Sequence, residues 1–442
     1  MEIRDLIVTP PVIILILFFA YFLRPRFTDE VTRKYFLPGL AVKIFGALAL
    51  GFVYQFYYDG GDTFNYHTHG SRHVWEAIVE APLKGFSIFF RDAYDYNGVY
   101  QYASQIYFFR DPQSLVVVKI AAFFDLFTFS SYSATAIFFA VFSFAGMWSL
   151  FQVFYRQYPH LHRSLAIAIL FIPSVFFWGS GILKDSVVMG CLGLATYQFY
   201  QLFFVKRIRF SNIIILLISL YLIFAIKKFI LQAYIPSVLL WVVANNLGSV
   251  RSRVARAMIL PFLMVVIIFS SYYSVVKVGE GDDRYSVEKI AETAKVTAYD
   301  IRYWSGREVG SGYSLGELDG SFGSMVRLAP QAINVSLFRP YLWEVRNPLM
   351  LLSALEGTVF LVLLIRIVVQ KRGRILKTLA DPNVIFALVF SLSFAFAVGV
   401  STFNFGTLSR YKIPLLPFFA VSLVLMHYSN SDKKLDELET TE

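Results

Sequence analysis

The sequence contains a single cysteine, Cys191, among 442 residues. One thiol excludes an internal disulfide, and the sequence has neither a Cys-x-x-Cys pair nor a His-Glu-x-x-His motif, so the usual signals of a zinc site are missing. Cys191 lies within an apolar run, which is typical of a small buried side chain. The sequence therefore offers little support for redox chemistry or a structural zinc.

Charged residues are also scarce. They make up 16% of the chain, whereas 57% of the residues are hydrophobic. Long uncharged runs of this kind are typical of transmembrane helices, which satisfy their own backbone hydrogen bonds in lipid. Windows long enough for a tilted span lie near 9–23, 38–57, 131–154, 164–180, 186–204, 211–226, 230–246, 257–275, 347–367, 383–402 and 413–428. We therefore predict an all-α polytopic bundle of about eleven spans, forming one integral membrane domain over 1–442.

The net charge of +10 is concentrated in short connections between the apolar windows. The first window lacks a small-residue cleavage site and is followed by Arg24 and Arg26, which predicts an uncleaved anchor. The basic clusters are Arg24, Arg26, Arg33 and Lys34; Arg156 and Arg163; Lys206, Arg207 and Arg209; Arg251, Arg253 and Arg256; Lys371, Arg372, Arg374 and Lys377. The positive-inside rule predicts that these clusters and the C-terminus are cytoplasmic and that the N-terminus is periplasmic, in a bacterial inner membrane. The excess of basic residues thus follows from the predicted membrane topology and does not indicate a nucleic-acid partner.

Two long connections fall on the predicted outer side. The first, 58–130, carries an acidic motif and ends in 114–129, which we predict to be an interfacial helix because Lys119 and Asp125 interrupt it. The second, 276–346, is predicted to hold another surface helix over Val287–Tyr303, followed by a glycine-rich stretch. Since binding and catalysis concentrate in long loops, we expect the function on this side.

The acidic motif consists of Asp59 and Asp62, which flank Gly60 and Gly61. The two glycines allow a tight turn that brings the carboxylates toward one point. A carboxylate there could take a proton from an acceptor hydroxyl, and the pair could hold a divalent cation. The alternative is an Asx-type turn that ends a helix.

Three of the six histidines follow this motif closely, as His67, His69 and His73. Imidazoles at this spacing can ligate zinc, particularly if Asp62 or Glu76 completes the set. The alternatives are a substrate contact for His67 and ordinary surface positions for all three. We predict no definite cofactor, with a divalent cation as a possibility.

Two further pairs of polar residues interrupt apolar sequence on the same predicted side. Lys184 and Asp185 follow a Gly-Ser-Gly turn, where they could contact a phosphate and a sugar, or cap the next helix. Lys227 and Lys228 interrupt the apolar stretch 211–246 and suit an anionic lipid head group, although snorkelling explains one such lysine.

Arginines and aromatics precede the spans near 347–367 and 413–428. The predicted substrate contacts here are Arg339, Glu344, Arg346, Arg410 and Lys412. Guanidinium groups bind phosphate bidentately, and aromatic rings offer stacking surfaces for sugars. The alternative is interface anchoring by Tyr341 and Trp343 with the arginines.

With its acidic motif in the first outer loop and the helix at 114–129, the chain resembles the polytopic GT-C glycosyltransferases. The segments 173–185 and 338–344 also resemble motifs of bacterial envelope polysaccharide-assembly proteins. The motif departs from the family pattern because one extra span precedes it, and no large soluble domain follows the bundle. The resemblance implies transfer of a sugar from a polyprenyl-phosphate-linked donor to a glycan or lipid acceptor, with Asp62 or Asp59 as the base. The alternatives are a polymerase or ligase acting on lipid-linked glycans, and a non-enzymatic transporter or assembly subunit.

Overall fold

A computed structural model of the chain describes residues 2–246, 327–372, 375–379 and 381–428, together with 295–296, 312, 313 and 315. These residues form helices and turns, with no β-strand among them and one isolated bridge between Gly312 and Asn404. The predicted all-helical class is confirmed. Two compact units divide the chain: Met1–Tyr200 with Ile208–Lys227, and Gln201–Arg207 with Lys228–Glu442.

The helices are defined by apolar runs with polar or proline-containing ends. In the first unit they are α1 (Ile3–Phe27), α2 (Arg33–Phe56), α3 (Asp62–Tyr66), a π-helical turn (His67–Ser71), α4 (Arg72–Glu80), α5 (Pro82–Ile88), α6 (Tyr100–Ala103), α7 (Pro112–Thr128), α8 (Tyr132–Gln157), α9 (His162–Leu170), α10 (Pro173–Trp178) and most of α11 (Lys184–Phe203). The long helix α12 (Phe210–Asn246) runs through both units. The second unit continues with α13 (Ala329–Phe338), α14 (Pro348–Lys371), α15 (Ile375–Thr378), α16 (Pro382–Ser401), α17 (Phe405–Tyr411) and α18 (Leu416–Tyr428).

Six of the described helices are long and apolar enough to cross a membrane: α1, α2, α8, α12, α14 and α16. Helices α17 and α18, bent by 70°, make a seventh candidate if they form one span. The chain is thus a multi-pass helical membrane protein, but the predicted count of about eleven is not confirmed. The window 164–180 is broken between α9 and α10, where Pro173 cannot continue a hydrogen-bonded helix. The windows 211–226 and 230–246 form the single element α12, which has non-helical backbone angles at Lys227.

Several predictions fall outside the described residues. These are the window 257–275, the helix expected over Val287–Tyr303, the glycine-rich part of the loop 276–346 and the acidic C-terminal tail.

The first unit is built on close packing between helices. A Cβ on Gly46 in α2 would lie 1.9 Å from the carbonyl oxygen of Phe176 in α10, and a Cβ on Gly146 in α8 would lie 2.1 Å from that of Gly190 in α11. Only glycine permits such approach, so these positions fix α10 and α11 against the two longer helices.

The two ends of this unit differ in chemistry. At one end the α1–α2 and α8–α9 connections meet, because the Tyr155 hydroxyl donates to Asp29 Oδ2 at 2.8 Å and the Tyr35 hydroxyl lies 2.8 Å from His162 Nδ1. The basic residues Arg33 and Arg163 belong to these connections. The acidic motif follows the other end of α2, so the basic connections and the motif are separated by the length of a span.

In the second unit, α13 and α18 pack against α16, and α14 packs against α13 and α18. A Cβ on Gly399 would lie 2.2 Å from the carbonyl oxygen of Ala332, and the Ser336 hydroxyl donates to the Ala395 carbonyl at 2.7 Å. Stacked and edge-on phenylalanines fill the interior, including Phe390 against Phe418 at 4.8 Å. This packing holds the segment after α13, which carries Arg339.

Candidate functional site

The acidic motif forms a tight turn between α2 and α3. Asp59, Gly60 and Gly61 all adopt positive φ, at 53°, 124° and 116°. The Gly60 amide donates to the Tyr54 carbonyl at 2.9 Å, and a Cβ on Gly61 would lie 3.0 Å from the Tyr54 ring. Asp59 is exposed at the tip, whereas Asp62 is half-buried as the first residue of α3. The two carboxylates therefore have different access to solvent.

Tyr54 connects this turn to the one that carries Lys184. Its ring packs edge-on against Trp178, with the centroids 6.4 Å apart. The turn after Trp178 is buried through Leu183, and a Cβ on Gly181 would lie 2.2 Å from the Leu50 side chain. The two turns predicted from sequence to carry chemistry are thus adjacent in the first unit.

The Lys184 ammonium lies 3.4 Å from Asp111 Oδ2. Asp111 also accepts a hydrogen bond from the Ser114 hydroxyl and one from the backbone N–H of Gln113, so it caps α7. The Ser114 hydroxyl in turn lies 3.5 Å from the Tyr66 hydroxyl at the end of α3. The lysine side chain is 15% exposed and the aspartate 43%, so this ion pair is open to solvent on one side.

Asp185 forms a buried ion pair with Lys227. The Asp185 side chain is fully buried and that of Lys227 is 8% exposed. The backbone of α12 departs from helical geometry at Lys227 itself, with φ −145° and ψ 74°. The break therefore lies at the residue whose ammonium neutralises the carboxylate.

These contacts form two series that meet at the sequence neighbours Lys184 and Asp185, and together we call them the acid–lysine network. Its members are Tyr66, Ser114, Asp111, Lys184, Asp185 and Lys227. Asp62 begins the helix that Tyr66 ends, so the acidic motif is attached to one end of the network. Both lysines contact carboxylates, and only the Lys184–Asp111 pair is partly open to an incoming anion.

The Asp111 carboxyl is expected to stay ionised as the pH falls through the ordinary aspartate range. Burial acts to raise its pKa, but the Lys184 ammonium and the hydrogen bonds from Ser114 and Gln113 outweigh burial and lower the pKa. A lowered pKa in the folded state contributes stability above the ordinary aspartate value, and this contribution is lost as the pH falls through the lowered value.

Infrared difference titration of wild type against Asp111→Asn measures the pKa of the Asp111 carboxyl directly. The carboxylate band should persist below the usual range in wild type and titrate at higher pH in Lys184→Met. Lys84→Met, which removes an exposed lysine of α5, is the control and should leave the band unchanged. The same titration in wild type and Lys184→Met would contradict the assignment.

The three histidines of the first loop lie in different surroundings. His67 is fully buried, with Nε2 3.3 Å from Asp125 Oδ1 and neither ring nitrogen in hydrogen-bond geometry. His69 is exposed, and His73 Nδ1 lies 3.0 Å from Glu76 Oε2. Among the residues that the structure describes, no three His, Cys, Asp or Glu side chains form a metal-binding group. The structure thus does not gather the three imidazoles as the zinc hypothesis requires.

Asp125 organises the buried region around His67. It accepts hydrogen bonds of 2.6 Å from the Ser71 and Thr135 hydroxyls, which join the π-helical turn, α7 and α8. Because these groups are buried, this cluster fixes the segment that follows α3 and does not offer a surface to a substrate.

In the second unit, Arg339 is paired with Glu344. Its Nε lies 3.0 Å from Glu344 Oε2, and its guanidinium lies within 6 Å of the ring centroids of Tyr313, Tyr341 and Phe405. For Glu344, burial acts to raise the pKa, and the hydrogen bonds from Arg339 and the Tyr341 amide lower it overall. Arg339 therefore holds the α13–α14 connection together. Its guanidinium is already paired with the Glu344 carboxylate in the absence of a phosphate.

The other predicted residues of the second unit are placed individually. Lys412 is buried, and its ammonium lies 3.4 Å from the Arg339 carbonyl oxygen. Arg346 is exposed, whereas Lys228 and Arg410 are half-buried. Their predicted substrate contacts stay predictions.

Site roles were not predicted from the sequence for the buried residues Lys43 and Asp125 or for the half-exposed Asp111. Lys43 is 1% exposed within α2, and its ammonium donates to the carbonyls of Val175 and Gly179 at 3.0 and 2.9 Å. It thereby binds two carbonyls at the C-terminal end of α10, where the helix dipole favours a cation. In the sequence, Lys43 could have been noticed as the single charged residue inside the apolar window 38–57. Asp111 precedes a proline, which signals a helix cap but not its contact with a lysine 73 positions away.

The chain was compared with family models, curated proteins and solved structures, and no match was found in any of the three.

Proposed function

We propose that this chain is a membrane glycosyltransferase that moves a sugar from a polyprenyl-phosphate-linked donor to an envelope glycan or lipid acceptor. The observation that supports the proposal best is the acid–lysine network. It joins the helix of the acidic motif to a partly open lysine at one end of the first unit. A carboxylate beside a cation that can receive a phosphate is the minimum that such a transfer needs.

In the proposed reaction, Asp62 takes the proton of an acceptor hydroxyl. The acceptor oxygen forms a bond to the anomeric carbon while the bond from that carbon to the lipid phosphate oxygen breaks. The phosphate leaves with the electron pair, and Lys184 stabilises its charge by exchanging Asp111 for a phosphate oxygen. Lys227, held by Asp185, keeps the turn of Lys184 in place. The site faces the periplasm in this proposal, and the membrane is the bacterial inner membrane.

The test is transfer by the purified protein in lipid nanodiscs with undecaprenyl-phosphate-linked glucose, galactose and mannose. Wild type should release undecaprenyl phosphate from at least one donor when acceptor lipid extract is present. Lys184→Ala should weaken donor binding by about tenfold, the size of one lost charge-assisted contact. Lys84→Ala, the exposed lysine of α5, should behave as wild type. Equal donor binding in wild type and Lys184→Ala would remove Lys184 from the phosphate site.

The same variants separate this proposal from a polymerase or ligase acting on lipid-linked glycans. That alternative assigns the work to the second long loop, so Arg346→Ala should then reduce activity more than Asp62→Asn does. Arg339 is not suitable for this comparison of variants. It pairs with Glu344, so its replacement would disturb the structure as well as any contact with the substrate. A transporter or assembly subunit would show no release of undecaprenyl phosphate at all.

A further inference from the structure

The segment 91–110 of the first loop presents a surface of tyrosines and polar side chains, which we call the tyrosine platform. Tyr94, Tyr100 and Tyr107 are 64%, 69% and 65% exposed. The other exposed side chains are all polar: Asp92, Asn97, Gln101, Ser104, Gln105 and Arg110. The buried residues of the segment are Val99, Tyr102, Ala103, Ile106 and Phe109. No aliphatic side chain of the segment is exposed.

The platform is rigidly supported at Tyr94. This residue has φ 68°, which is uncommon for an aromatic residue. Asp95 pairs with Arg91 at 2.9 Å and accepts from the Asn97 amide at 3.2 Å, and the Lys119 ammonium donates to the Arg91 carbonyl at 2.6 Å. These contacts lie on both sides of Tyr94 and support the turn that exposes its ring.

Two other tyrosines of the segment anchor it instead. The Tyr102 hydroxyl donates to Glu80 at 3.0 Å, and the Tyr96 hydroxyl accepts from Arg110 Nε at 3.2 Å. The segment thus divides its tyrosines between internal contacts and an exposed set.

The neighbouring surface of α4 and α5 has the opposite character. Leu83 is 91% exposed and Phe90 is 88% exposed, with Val79 and Phe86 exposed beside them. Such a surface suits lipid acyl chains. Tyrosines also anchor proteins at membrane interfaces. Tyr94, Tyr100 and Tyr107 share their surface with amide and charged side chains and with no exposed aliphatic one, which suits a polar ligand better than acyl chains.

The platform is joined to the candidate site. Phe108 stacks on Tyr66 with centroids 4.7 Å apart, and the Tyr107 amide donates to the His69 carbonyl at 2.7 Å. A ligand held on the platform therefore lies beside the helix that carries Asp62.

We propose that the tyrosine platform binds a glycan chain. Tyrosine rings offer large, rigid surfaces for the apolar faces of sugar rings, and the amide side chains suit sugar hydroxyls. Only the identification of this glycan as the acceptor rests on the proposed glycosyltransferase function, because binding itself needs no transfer.

Saturation-transfer difference NMR on the full-length protein in nanodiscs tests this binding, with maltotetraose, chitotetraose and mannotetraose as probes. At least one tetrasaccharide should receive saturation on its ring protons. Its affinity should fall about tenfold or more in Tyr100→Ala/Tyr107→Ala, since aromatic anchors dominate binding energy. The double phenylalanine variant keeps both rings and should retain most of the affinity. Tyr221→Ala removes a tyrosine that is 66% exposed on α12 and should leave binding unchanged.

A second measurement decides whether the platform is in water or lipid. The only cysteine, Cys191, is buried, so a single added cysteine can be spin-labelled selectively. A label at Gln101→Cys should be relaxed by a water-soluble nickel chelate, and one at Leu83→Cys by oxygen dissolved in lipid. Oxygen-dominated relaxation at Gln101→Cys would overturn the proposal, as would the absence of saturation transfer to all three probes.

The outcomes separate the two proposals. Glycan binding together with donor-dependent transfer supports both. Glycan binding that depends on Tyr100 and Tyr107, in a protein that transfers no sugar, supports the platform and overturns the glycosyltransferase. Transfer that proceeds without any glycan binding overturns the platform alone.

Discussion

Asp62→Asn is expected to lower the rate of sugar transfer by about 10²–10⁴-fold and to leave donor binding within about twofold of wild type. The asparagine has nearly the same shape but cannot accept a proton. Asp62 is a stronger candidate than Asp59 because it is half-buried at the start of α3, whose other end, Tyr66, belongs to the acid–lysine network. Asp59 is exposed at the tip of the turn.

The measurement is single-turnover release of undecaprenyl phosphate, with donor affinity determined separately by titration. Asp59→Asn should lose much less activity than Asp62→Asn, and Glu30→Gln, at an exposed acid of the α1–α2 connection, should lose none. An unchanged transfer rate in both Asp59→Asn and Asp62→Asn would end the assignment of a base in this motif. A weakened affinity with an unchanged rate constant would instead make Asp62 a binding residue.

The membrane class and the acidic turn could be predicted because both follow from local sequence. Apolar runs predict spans from their length, and Gly60 and Gly61 predict a turn through the positive φ values that they allow. The position of α7 was also predictable, since Asp111 and Pro112 signal a helix start. Each of these features is determined by residues a few positions apart.

The number of spans could not be predicted in the same way. Window length cannot tell a continuous helix from one that is broken, as between α9 and α10. The other end of α10 is bound by the ammonium of Lys43, a residue more than 120 positions away in the chain. At Lys227 the windows 211–226 and 230–246 meet at non-helical backbone angles, so the two windows correspond to the two parts of α12.

The ion-pair partners of the predicted cations could not be predicted from the sequence either. Lys184, Lys227 and Arg339 were predicted as phosphate contacts from their type and side of the membrane. In the structure their partners are Asp111, Asp185 and Glu344. Only Glu344 is close to its partner in sequence, and its position four residues after Pro340 did not distinguish an ion pair from a substrate contact. A cation with little access to solvent needs compensating charge, and for these three side chains a carboxylate of the same chain supplies it.

Asp185→Ala is expected to destabilise the protein by about 3–5 kcal/mol, because it leaves the Lys227 ammonium buried without this carboxylate. The fully buried side chain of Asp185 and the 8% exposure of Lys227 leave water little access to replace the lost partner. Removing both charges together, in Asp185→Leu/Lys227→Met, should restore most of the stability, since burying two apolar groups carries no such desolvation cost. The control is Asp95→Ala, which breaks the half-exposed pair with Arg91 and should destabilise the protein much less than Asp185→Ala does.

A thiol-reactive dye measures these transitions directly, because Cys191 is buried and reacts only when its surroundings open. Stability and transfer activity of the double variant then show which role the Asp185–Lys227 pair has. If stability and transfer both return, the pair serves to hold the turn of Lys184 against the break in α12. If stability returns and transfer does not, Lys227 acts on the donor phosphate itself, as the sequence predicted. A double variant that remains as unstable as Asp185→Ala would show that the pair is not the source of the destabilisation.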